Sequence, residues 1–85
     1  MTTADIKLYA LSTCSHCKST KHLLNENEVD YDVVEVDQLE GEERQAMIEE
    51  VKQYNPRCTF PTLRIGDQII VGFREDDIRE ALNLS

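Results

Sequence analysis

Residues 6–37 change hydrophobic period twice, and that change restricts what the chain can fold into more than any other feature. Residues 6–11 alternate as a strand does, with Ile6, Leu8 and Ala10 on one face and Tyr9 and Leu11 on the other. Apolar residues on both faces mark a strand covered on both sides. Residues 15–27 then carry Cys17, Thr20, Leu23, Leu24 and Asn27 at three- and four-residue spacing, the stripe of a helix. Residues 31–37 return to a strand, rich in the β-branched Val33, Val34 and Val36. Strand, helix and strand in about 30 residues make a βαβ unit, which demands parallel strands and a right-handed crossover.

The remainder of the chain extends this unit. A second helix is expected over residues 41–54, with Met47, Val51 and Tyr54 facing inward, and Asn55-Pro56 stops it. Thr62-Leu63-Arg64-Ile65 and Gln68-Ile69-Ile70-Val71 flank Gly66-Asp67, a two-residue hairpin signal. A last helix over residues 74–82 opens with Glu75, Asp76 and Asp77, where acids complement the macrodipole, and turns Ile78, Ala81 and Leu82 inward. The expected order is βαβ-α-ββα. It describes one α/β domain over residues 1–85, a four-stranded mixed sheet with three helices on its two faces.

Charge narrows the partners. The formal net charge is −8, so the basic footprint of a nucleic-acid binder is missing and an anionic membrane repels this surface. No apolar stretch approaches the length of a membrane span. Met1 to Asp5 lack the basic start and apolar core of a secretion signal, which points to the cytoplasm. The acids concentrated over residues 35–50 read as a solvated helix face. A monomer is expected.

Three cysteines are too few and too odd for the disulfide framework of a small secreted domain. Cys14 and Cys17 fall where the first strand turns into the first helix. There, unpaired backbone N–H groups and the macrodipole favour an anionic sulfur on Cys14. Cys17 returns to the same face within one turn, in range for a disulfide. A reactive thiol beside a second thiol is the minimum equipment for thiol–disulfide exchange. Ser15 supplies a backbone N–H toward the sulfur, and His16 stabilises a thiolate when protonated. Lys18 and Lys21 read as general electrostatic support and His22 as a surface residue. Two readings of Cys58 stand: a partly buried bystander, or a third redox thiol reaching the site from the segment before Pro61. An alternative class uses the same residues as a zinc or iron–sulfur module, with Cys14, Cys17, Cys58 and His16 or His22 as zinc ligands. A lone cysteine 41 residues after a Cys-x-x-Cys is not a usual zinc spacing.

A Cys-x-x-Cys at the first strand-to-helix turn of a βαβ unit is the mark of a thioredoxin-like redox protein. With Thr59-Phe60-Pro61 before the hairpin and Gly72-Phe73-Arg74-Glu75-Asp76 after it, the chain resembles the glutaredoxins, and more narrowly the NrdH-type redoxins, which share the Gly-Phe-Arg signature. The likeness runs over about residues 5–83. It implies the thioredoxin-like fold and a small dithiol–disulfide oxidoreductase. In that role Cys14 is the nucleophile, Cys17 the resolving thiol and Pro61 a cis-proline facing them. Ser15, His16, Thr59, Phe60, Pro61, Gly72, Phe73, Arg74 and Asp76 are then the substrate-binding set, with no bound cofactor or metal. It further implies disulfide-containing protein substrates, with glutathione or a flavoprotein thioredoxin reductase as electron source. Two positions depart from the glutaredoxin pattern. Leu11 stands where many members carry a lysine, and Val71-Gly72-Phe73-Arg74-Glu75-Asp76-Asp77 lacks one glycine of their Gly-Gly and adds bulk, which argues for weaker glutathione recognition with Arg74 as a replacement cation.

Overall fold

The computed structural model describes residues 6–84; Met1 to Asp5, read above for targeting, and Ser85 lie outside the described residues. Four strands form one mixed sheet in the order β2-β1-β3-β4: β1 (Ile6–Ala10), β2 (Asp32–Glu35), β3 (Thr62–Ile65) and β4 (Gln68–Val71). β1 pairs with β2 in parallel, Leu8 opposite Val33, and with β3 antiparallel, Leu8 opposite Leu63. The β3–β4 hairpin turns on Gly66, whose φ of +59° is the left-handed conformation that glycine adopts without a Cβ penalty. The helices are α1 (Ser15–Glu26), α2 (Gly41–Tyr54) and α3 (Glu75–Ala81).

Side-chain alternation along β1 sorts the helices between the two faces of the sheet. Ile6, Leu8 and Ala10 join Leu63, Ile65 and Ile70 beneath Cys17, Leu23 and Leu24 of α1 and Ile78 of α3, forming the main core. The opposite face is more polar. Tyr9 stacks on Tyr54 of α2 at a centroid distance of 6.3 Å, and its hydroxyl donates to Glu50. Lys7 donates to the same carboxylate at 3.0 Å. Burial and the adjacent carboxylate hold the Tyr9 phenol protonated well above its ordinary range, while the two donors pull the Glu50 carboxyl down.

Two expectations need correction here. Residues 31–37 are not one strand: β2 stops at Glu35, and Val36–Gln38 form a 3₁₀ turn that buries Val36. The Asp37 carboxylate is drawn to the loop after β1, which bends the chain off the sheet edge. On α2, Val51 is fully buried as expected, but Met47 is only half-buried and Tyr54 remains 37% exposed. That helix covers Lys7, Tyr9 and Arg64, so Glu50 and one face of the Tyr54 ring pack alongside Val51, with the Arg64 guanidinium 5.6 Å from the ring centroid. The outer side of α2 is solvated, in keeping with its acids.

Candidate active site

β1 ends beneath the sheet's upper rim and hands the chain to a turn closed by the Cys14 N–H on the Leu11 carbonyl at 3.2 Å. Cys14 is the N-cap of α1, with extended backbone angles of φ −88° and ψ 121°. Its sulfur therefore does what a capping oxygen does elsewhere and accepts the Cys17 N–H, at 3.2 Å. Among the described residues, Cys17 is the hydrogen-bond donor to this sulfur, rather than the Ser15 amide anticipated from the sequence. Ser15 and His16 are exposed. The three cysteines are thiols, Cys14 half-buried and Cys17 wholly buried.

The two sulfurs of the pair live in different environments. Cys17 Sγ sits under the first turn and accepts the Leu11 N–H at 3.4 Å. Burial, with the neighbouring Cys14 sulfur adding to it, pushes the Cys17 thiol up to about 12. Cys14 faces the loop of residues 55–62, its sulfur 4.0 Å from the Phe60 carbonyl oxygen. The Phe60–Pro61 peptide is cis, and the Pro61 carbonyl accepts the Gly72 N–H at 2.8 Å. These bonds tie the proline segment to the end of β4.

Two residues that sequence reasoning passed over hold this arrangement. Asp37 accepts the Ser12 N–H at 2.9 Å and the Ser12 hydroxyl at 2.5 Å, and Gln38 donates to the same hydroxyl at 3.1 Å. The Ser12 bonds, with a lesser contribution from Arg44, hold the Asp37 carboxyl below its ordinary range. Asn55, read only as a helix stop, is buried with its amide donating to Thr59 O, Thr59 Oγ1 and Thr62 Oγ1 at 3.0–3.1 Å. Its oxygen accepts the Arg57 N–H at 3.2 Å. Asparagine before Pro56 with threonines four and seven residues on is a turn signal, and it was the one available clue. Nothing local marked Asp37.

The other anticipated residues are placed as follows. Phe60 and Phe73 pack partly buried against the main core, as does Cys14. Arg74 is exposed, its Nε donating to the Val71 carbonyl at 3.2 Å, and Asp76 is exposed in the first turn of α3. Cys58 is half-buried in the turn after α2 with φ of +52°, its N–H on the Asn55 carbonyl at 2.8 Å. Among the described residues no three or more of His, Cys, Asp and Glu converge as a metal-holding group, so the zinc ligands considered from the sequence are not assembled. No helix among them is long and apolar enough to cross a membrane.

A half-buried thiol at a helix tip, a wholly buried partner one turn on and a cis-proline loop opposite bring together the parts that thiol–disulfide exchange needs. Known proteins share this fold and are similar in sequence. The family model described as Glutaredoxin matches residues 6–70. An uncharacterized glutaredoxin-like 8.6 kDa protein of the rubredoxin operon of Clostridium pasteurianum is 35% identical over 74 residues, 86% of this chain and 91% of that protein. Among solved structures, Methanosarcina acetivorans methanoredoxin is 48% identical with a TM-score of 0.88, covering 92% of this chain and 83% of that one. The NrdH-redoxin of Escherichia coli is more distant, 25% identical with a TM-score of 0.74 over 89% of this chain and 92% of that one.

Proposed function

Starting from the fact that this chain belongs to the glutaredoxin family, we propose that it is a monomeric, cytoplasmic dithiol–disulfide oxidoreductase that reduces disulfides in protein substrates. The observation that carries this reading is the asymmetry of the pair. Cys14 Sγ is reachable and stabilised by the Cys17 N–H at 3.2 Å, whereas Cys17 Sγ is buried directly behind it.

In the first step the Cys14 thiolate attacks one sulfur of the substrate disulfide in line. A Cys14–substrate disulfide forms as the substrate S–S bond breaks, and the other substrate sulfur leaves with the electron pair and takes up a proton. In the second step Cys17 gives up its proton, attacks Cys14 Sγ and releases the remaining substrate sulfur as a thiol. Two electrons have then passed from the Cys14/Cys17 dithiol to the substrate. With the Cys17 thiol pushed up to about 12, this step needs a proton acceptor, and the departing substrate thiolate is the nearest candidate. The Phe60 carbonyl beside Cys14 offers a substrate segment a backbone acceptor, a short β-type pairing. Two external thiols, or a flavoprotein reductase, then reduce the Cys14–Cys17 bridge.

Leu11 and Phe73 weigh against tight glutathione binding, and Arg74 turns its Nε to the Val71 carbonyl, so both electron sources belong to the test. Cys14→Ser and Cys17→Ser are assayed with glutathione and with thioredoxin reductase. Loss of all turnover in Cys14→Ser is expected, and full turnover there overturns the proposal. If Cys17→Ser still reduces glutathione mixed disulfides, glutathione is the reductant; if it loses all activity, the reductase route operates.

A further inference from the structure

Between the second turn of α1 and the loop after β4 lies a cleft of about 440 Å³ lined by Lys18, Ser19, His22, Leu23 and Phe73. Neither step above uses it. We propose that this cleft docks the substrate protein through a segment carrying one carboxylate and one apolar side chain close to its reactive cysteine. The carboxylate meets Lys18, and the apolar side chain lies on Leu23 and Phe73. The inference rests on the oxidoreductase reading and names the class of protein that reading takes as substrate.

Position is the first argument. Lys18 directly follows Cys17, and Phe73 directly follows Gly72, whose amide is held by Pro61 O at 2.8 Å. The cleft is therefore built on the same two segments that frame Cys14. Lys18 is one helical turn from Cys14, about 6 Å along the axis, and an extended peptide covers about 3.3 Å per residue. A group two to four residues from the substrate cysteine spans that distance.

Charge is the second. The chain carries a net charge of −8, yet the ionisable side chains lining this cleft are Lys18 and His22. His22 is tethered to Glu26, with Nε2 3.2 Å from its carboxylate, whereas Lys18 is exposed and without an ion-pair partner among the described residues. The ammonium of Lys18 is thus a positive charge on the wall of this cleft, on a chain whose net charge is negative. A single carboxylate is attracted at this spot, while a densely acidic segment is repelled by the surroundings. The third argument is shape: Phe73 supplies an apolar wall beside Leu23.

Two nonapeptides test this, each linked to 2-mercaptoethanol through a central cysteine followed by leucine. They are identical except for Asp or Lys three residues after the cysteine. Wild type is expected to show a kcat/KM about fivefold higher for the Asp peptide, the scale of an exposed ion pair set against its repulsive counterpart. Lys18→Glu is expected to invert the ratio, and Phe73→Ala to lower both values while leaving the ratio in place. Equal ratios in wild type and Lys18→Glu, or a wild-type preference for the Lys peptide, overturn the inference. Bis(2-hydroxyethyl) disulfide, too small to reach the cleft from Cys14, reports on the redox reading alone. If wild type fails to reduce it, that reading and this one fall together. If it is reduced while the peptides are not discriminated, only the cleft assignment fails.

Discussion

Asp37 grips Ser12 with both carboxylate oxygens, at 2.9 Å to its amide and 2.5 Å to its hydroxyl. Ser12 lies two residues before Cys14, so the 3₁₀ turn after β2 fixes the loop that leads into Cys14. Because the Ser12 bonds hold the Asp37 carboxyl below its ordinary value, its contribution is present above the unfolded carboxyl range, near pH 3.9, and is lost as pH falls through the lower folded value. Asp37→Asn is expected to slow alkylation of Cys14 by iodoacetamide and to flatten the stability profile below about pH 4. Alkylation rates and denaturant midpoints equal to wild type at every pH would remove Asp37 from this role.

Cys17 ties redox state to alkaline stability. A cysteine in an unfolded chain ionises near pH 8.5, whereas burial holds Cys17 up to about 12 in the folded dithiol. The folded value is raised, so stability is complete below about pH 8.5 and declines by about 1.4 kcal/mol per pH unit as pH rises toward the folded value. Tyr9, raised in the same sense by burial and by Glu50, steepens the decline from about pH 10 upward. Urea midpoints are expected to fall less steeply with pH in Cys17→Ala than in the reduced wild type. An unchanged slope in that variant would show that the buried thiol is not responsible.

Asn55 joins the end of α2 to both threonines beside the Phe60–Pro61 peptide. Asn55→Ala removes a buried amide and strips its donors from Thr59 and Thr62. The expected cost is about 2–3 kcal/mol, several times that of an exposed polar truncation. Chemical denaturation measures it, and a loss under about 0.5 kcal/mol would mean that water replaces the amide without penalty.

On the far face of the sheet, Tyr9→Phe keeps the ring stack on Tyr54 and deletes the donor to Glu50. Lys7 still holds that carboxylate at 3.0 Å, so the expected loss is modest, about 1–2 kcal/mol. The Glu50 carboxyl should titrate nearer its ordinary range in this variant, which side-chain carboxyl NMR detects.

What the sequence made legible follows the strength of its local signals. The bounds of α2 and of the β3–β4 hairpin come out as read, because Asn55-Pro56 and Gly66-Asp67 punctuate the chain sharply. The inner stripe of α1 was legible for a similar reason: apolar spacing dictates which side meets the sheet. β2 was read too long because its valines run on to Val36, past the strand's end at Glu35, where the pull of Asp37 toward Ser12 turns the chain away with no local signature. The inward turn of Glu50 was hidden likewise, since its partners Lys7 and Tyr9 lie more than forty residues away in sequence. The cysteine pair was visible at once; the side chains that hold its two flanking segments in place were not.

One of the two outer strands, β2, has a free rim flanked by carboxylates. Asp32 and Val33 are exposed there, and Glu35 is held by Lys21 at 3.3 Å. A second molecule seeking to lengthen the sheet at that border would bring acid against acid, so neutral solution discourages fibrous growth. Val33, 44% exposed beside those acids, is an apolar side chain on that border whose pairing with another chain they oppose.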